Sequence, residues 1–137
     1  ENPRVDMTLA NLAETARAEQ AHWQGELARI LPLVLLPGKP VRGGGRAAGS
    51  GACVAVEVDR LREMSVAMRR RVVRAAAESV GGTLNFAATE SVLALCGFEN
   101  TGVSHTRQGT KGALHLEGGL RAERSARELR FSRVEAT

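Results

Sequence analysis

The sequence predicts a mainly α fold: a helical domain led by a long N-terminal amphipathic helix, with a small C-terminal antiparallel β-hairpin. Three observations carry that expectation. Apolar residues recur at helical spacing from Val5 to Ile30; two later apolar-periodic segments each open on a capping residue; and the closing stretch alone alternates as strands do.

Asn2-Pro3 is a helix-start signal, since Asn accepts from a free N–H and Pro is preset for the first helical position. Val5, Leu9, Leu12, Ala16, Trp23, Leu27 and Ile30 then form one stripe, with Glu14, Arg17, Glu26 and Arg29 mainly outward. One long helix is expected to about Arg29, ended by Pro32. Residues 37–51, PGKPVRGGGRAAGSG, read as an exposed, flexible loop. The loop's GGGRAA lacks both the strand-to-helix setting and the Gly-Lys-Ser/Thr of a phosphate loop, so nucleotide binding is not assigned to it. Cys53 to Val58 reads as a short strand, followed by a brief helical turn capped by Asp59.

Ser65 caps the next helix, whose buried stripe is Val72, Val73, Ala76 and Val80. Arg70, Arg71 and Arg74 fall in an arc on the other side, and Arg69 lies on the stripe's side. Gly81-Gly82 ends this helix, and Asn85 opens another with Phe86, Val92, Leu93 and Leu95 inward until Gly97. Residues 98–112 are polar. Beyond them ALHLEGGLRAERSARELRFSRV suggests two or three short strands turning at Gly118-Gly119, with Leu114, Leu116, Leu120, Leu129 and Phe131 on one face. Residues 1–100 thus form the helical domain, and 101–137 a polar loop and hairpin appendage packed on it.

The charge is unevenly spread. Net charge is +4 over 137 residues, and all the excess lies beyond residue 63, where eleven Lys and Arg face seven Asp and Glu. Ten of the eleven are arginines, whose planar fork suits phosphate oxygens, so an RNA or DNA backbone is the natural acidic partner. A merely solvated arginine-rich surface is the plainer alternative. With no Tyr and 3% aromatics, the chain lacks the stacking platforms of single-strand readers, which favours backbone and shape recognition of a duplex region.

Catalytic groups are not evident. His22, His105 and His115 have no partner at metal-ligand or triad spacing, although His105 lies in the same polar stretch as Arg107 and Lys111. Asp59 and Glu63 are flanked by Arg60 and Arg62 and read as surface pairs. Cys53 and Cys96 belong to no zinc motif or disulfide framework and read as buried thiols of a reducing, cytoplasmic setting. No apolar run is long enough to span a bilayer, no secretory signal is visible, and the start at Glu1 reads as the middle of a longer protein.

Four segments, in order, resemble one family. NPRVDMTLANLAETARAEQAHW looks like the helix that follows the catalytic domain of tRNA(Ile)-lysidine synthetases. SVAMRRRVVRAAAESVGG is similar to the family's basic helix, NFAATESVLALCG to the helix after it, and LHLEGGLRAERSARELRF to its closing hairpin. The resemblance implies a substrate-recognition part of a ligase that uses ATP, with magnesium, and lysine to convert the wobble cytidine of an isoleucine tRNA with a CAU anticodon into lysidine. It implies the tRNA and the N-terminal catalytic domain as partners, with a homodimer as a further option. The family's SGGxDS-type phosphate loop is missing, so the fragment itself is expected to hold neither ATP nor lysine nor a catalytic group.

Under the resemblance Arg69, Arg70, Arg71 and Arg74 align with the basic helix, and Arg121, Arg124 and Arg127 with the hairpin. Arg107 and Lys111 complete the expected tRNA-binding set, with Arg70, Arg71 and Arg74 foremost as backbone contacts. The rival reading is a structural or protein-interaction module in which the first helix and residues 98–137 form a domain or dimer interface. A DNA-binding regulator fits less well, because the helix from Ser65 to Val80 offers no base-reading Asn or Gln.

Overall fold

The computed structural model of the chain describes residues 3–47, 53–98 and 112–133. They fall into two compact units, residues 1–33 and residues 34–137. The first is essentially one helix, α1 (Pro3–Val34). It passes through Pro32 rather than ending before it. A proline this close to the C-terminal end removes only one late ladder bond, and the helix stops two residues on. His22 and Trp23 meet edge to face on α1, with ring centroids 5.9 Å apart.

The second unit corrects the expected fold class. In place of a helical domain with a small C-terminal hairpin, it is an α/β fold on a five-stranded antiparallel sheet, with a separate two-stranded ribbon. The strands are β1 (Leu35–Pro37), β4 (Cys53–Glu57), β5 (Gly112–His115), β6 (Leu120–Arg124) and β7 (Glu128–Arg133). The ribbon is β2 (Lys39–Pro40) and β3 (Arg46–Ala47). Sheet order is β1-β4-β7-β6-β5. The C-terminal hairpin strands are therefore central, not an appendage: β7 pairs β4 from Cys53↔Ser132 to Glu57↔Glu128 and β6 from Leu120↔Arg133 to Arg124↔Leu129.

Alternation divides the sheet into two faces. Val54, Val56, Leu120, Ala122, Leu129 and Phe131 lie on one and are buried. The helices α2 (Val58–Glu63), α3 (Val66–Ser79) and α4 (Phe86–Leu95) complete the layer: α2 packs on β4, α3 on β4 and β7, and α4 on β5. Val72, Val73, Ala76 and Ala77 of α3 are wholly buried there. Ser65 Oγ accepts from Met68 N and Asn85 Oδ1 from Ala88 N, as expected, whereas Asp59, expected to cap α2, lies in its first turn, and the N-cap is Glu57 without a side-chain bond. Gly118, at φ 74°, lies in the turn between β5 and β6.

The opposite face is polar. It carries Glu57, Glu128, Arg130, Arg121 and Glu123 around the small, fully buried Ala55.

Candidate nucleic-acid interface

Two helices of the second unit, α2 and α4, end on an arginine supplied from elsewhere. The last carbonyls of a helix lack intrahelical donors and carry the negative end of its dipole, so a guanidinium there satisfies both. At α2 the donor is Arg69, whose Nε gives to Leu61 O at 2.9 Å and whose Nη2 gives to Arg62 O at 3.1 Å and Met64 O at 3.2 Å. Its guanidinium also lies over the Phe98 ring, 4.1 Å from the centroid. Burial, and secondarily Arg62, lowers its pKa. At α4 the donor is Arg124, buried at 8% exposure, with Nη1 giving to Leu95 O at 3.1 Å. Beyond α3, Arg133 gives weakly to Gly81 O at 3.4 Å and to Gly118 O at 3.2 Å.

Burial pushes the Cys96 thiol up to about 11, against the opposing charges of Arg124 and Arg69. Such a thiol stays protonated and inert at neutral pH.

The remaining residues of the expected site divide differently. Arg70 Nε gives to Glu90 Oε1 on α4 at 2.8 Å, a half-exposed ion pair. Arg71 is half-buried. Arg74 is exposed on α3, with no hydrogen bond or ion pair among the described residues. Arg121 lies on the polar sheet face, its Nη2 3.8 Å from Glu123. Arg121 and Arg124 point to opposite faces of β6, so the hairpin arginines form no single patch. Arg127 is exposed in the β6–β7 turn, where it lines a cleft with Glu57, Asp59 and Glu128, carboxylates that oppose a polyanion. Arg107, Lys111 and His105 lie outside the described residues.

Two arrangements escaped the sequence reading. On the polar sheet face, Arg46 reaches from the ribbon to Glu128 with both terminal nitrogens, at 2.8 and 3.1 Å, and Arg130 Nη2 adds a third bond at 3.1 Å. The bond from Arg46 is the main cause holding the Glu128 carboxyl below its ordinary range; burial opposes it. Glu128 in turn raises the pKa of Arg46. Nothing local marks this cluster, since Arg46 and Glu128 are 82 residues apart.

The second is Phe86. Expected inward, it stands 70% exposed at the start of α4, with the Arg70 guanidinium 5.5 Å from its ring centroid. The buried stripe of Thr89, Val92 and Leu93, extended back one turn, takes in Phe86, but the apolar residue buried at this end is Leu84, before the helix begins.

Among the described residues no three His, Cys, Asp or Glu side chains converge as ligands of a cation would. No helix among them is long and apolar enough to cross a membrane.

No family model matches the chain. The tRNA(Ile)-lysidine synthase of Solibacter usitatus (strain Ellin6076) is 39% identical to it over 83 residues, which are 61% of this chain and 16% of that protein. The chain therefore matches about one sixth of the length of this curated relative.

Proposed function

We propose that this chain is part of a tRNA(Ile)-lysidine synthase and that its second unit contacts the backbone of the substrate tRNA. The observation that carries the reading is the 83-residue similarity at 39% identity, joined to an excess of arginine in the second half of the chain. In this reading the chain holds the isoleucine tRNA while a catalytic part outside these residues converts the wobble cytidine of its CAU anticodon to lysidine. ATP, magnesium and lysine are ligands of that part, and no residue of this chain is assigned to them.

What this chain supplies is position. Arginine contacts to phosphate fix orientation and carry no sequence information. Arg74 is the leading contact, because it is exposed and makes no hydrogen bond or ion pair among the described residues. Arg70 and Arg71 flank it on α3. Arg69 and Arg124 support the surface indirectly, through the helix ends they hold.

The test is binding of the 137-residue chain to an unmodified isoleucine tRNA transcript, followed by fluorescence anisotropy across a salt series. Affinity is expected to fall linearly with salt on logarithmic axes, and Arg74→Ala to reduce the slope by about one. Binding that is absent, or indifferent to salt, overturns the proposal.

A second reading, an interaction module, draws on the exposed Val5, Met7, Leu9 and Leu12 of α1. Light scattering separates the two: a tight oligomer without tRNA affinity replaces the first reading with the second.

A further inference from the structure

Phe86 is the most exposed large apolar side chain among the described residues. The other two phenylalanines are used by the fold: Phe131 is fully buried in the sheet, and Phe98 lies half-buried beneath Arg69. A single exposed apolar residue is ordinary on a protein surface, so exposure alone decides nothing. The surroundings of this ring decide more.

Arg70 is fixed beside it. Its Nε gives to Glu90 Oε1 at 2.8 Å, and Glu90 follows Phe86 by one turn of α4, so the carboxylate aims a guanidinium at the ring, 5.5 Å from the centroid. Arg74 follows Arg70 by one turn on α3, toward the short link of residues 80–85 that leads into Phe86. A protein partner would need contiguous apolar surface, whereas the one side chain seen over the ring is the charged Arg70. An exposed aromatic ring beside one guanidinium, with a second arginine a turn further along the same helix, offers what an unpaired nucleotide requires: a stacking plane for the base and a cation for its phosphate.

From this geometry we infer that Phe86 is a stacking platform for one unpaired base of a bound RNA, with Arg70 steadying the ring and Arg74 meeting an adjacent phosphate. The inference rests on the RNA-binding reading above and adds to it a class of ligand: looped or single-stranded nucleotides beside the duplex. Stacking of this kind tolerates any base, so it selects unpaired structure rather than sequence.

The experiment compares two labelled RNAs with the same number of phosphates, a single-stranded oligonucleotide and a blunt duplex, each titrated with the 137-residue chain. Phe86→Ala is expected to weaken single-strand binding about tenfold while duplex binding changes less than about twofold. Phe86→Trp restores the single-strand affinity, and neither variant changes the salt slope, because the ring carries no charge. Equal losses on both RNAs, no loss on either, or failure of Trp to rescue overturns the stacking role. Wild-type chain that binds neither RNA sinks the RNA-binding reading itself. Wild-type chain that binds both, indifferent to Phe86, sinks this inference alone.

Discussion

Glu128→Gln is the most informative perturbation of the fold, because one carboxylate there holds two guanidinium groups in place. Its side chain is 10% exposed, as is that of Arg130, and that of Arg46 is 19% exposed. Glutamine keeps the shape, removes the charge, and turns one of the two accepting oxygens into a donor that faces Arg46 or Arg130. Breaking a buried ion pair by removing one partner costs about 3–5 kcal/mol. The partial exposure of Arg46 lets water recover some of that, which brings the expected loss to about 2–3 kcal/mol. For a unit of this size that is a fall in Tm on the order of 10–20 °C. Circular dichroism on heating reads it directly.

Acid supplies the control. The folded-state pKa of Glu128 is depressed, so its contribution is complete above the ordinary carboxylate pKa of about 4.3 and is lost as pH falls through the lower folded value. Wild type and Glu128→Gln are therefore expected to differ at pH 7 and to converge only once pH has fallen below the depressed folded pKa of Glu128, where both carry a neutral group. A loss below about 0.5 kcal/mol at pH 7, or a gap that persists unchanged in acid, refutes the reasoning.

Two further outcomes follow from local geometry. A Cβ on Gly82 would lie 2.8 and 2.9 Å from the two Cδ atoms of the buried Leu120, so Gly82→Ala is expected to cost about 1–3 kcal/mol, measured as a lower midpoint in urea. Arg69→Met removes three bonds to the end of α2 and is expected to cost about 2 kcal/mol while leaving tRNA affinity unchanged; lost affinity at full stability contradicts that assignment.

Features encoded by neighbouring residues were legible in the sequence. Ser65 and Asn85 cap the helices assigned to them, and Gly118 turns between β5 and β6 as the Gly-Gly pair suggests. The sheet was not legible as a sheet, because its assembly is non-local. β1 is three residues of an apolar run that continues out of α1, and it becomes a strand only by pairing β4. β4 in turn reaches the C-terminal strands across more than seventy residues, a pairing that no periodicity announces. The candidate site has the same division. Which arginines share α3 is written in their spacing, whereas the partner of each guanidinium depends on contacts such as Arg70 with Glu90 that form only in the packed unit.

The arginines of the second half therefore do two kinds of work, and composition cannot separate them. Arg69 and Arg124 spend donors on the carbonyls where α2 and α4 end, Arg133 gives weakly to Gly81 beyond α3, and Arg130, joined by Arg46 from the first half, spends its donor on Glu128. Such groups add little to a surface field, since each faces the negative end of a helix or a carboxylate. The same chemistry explains why arginine was used for both: a long stem with a five-donor fork reaches helix ends and phosphate oxygens equally well. A sequence in which arginine closes helices will look like a nucleic-acid binder whether or not it is one. RNA contact by this chain is therefore argued from the similarity to the synthase together with Arg74, which makes no hydrogen bond or ion pair among the described residues, since net charge alone does not separate the two uses.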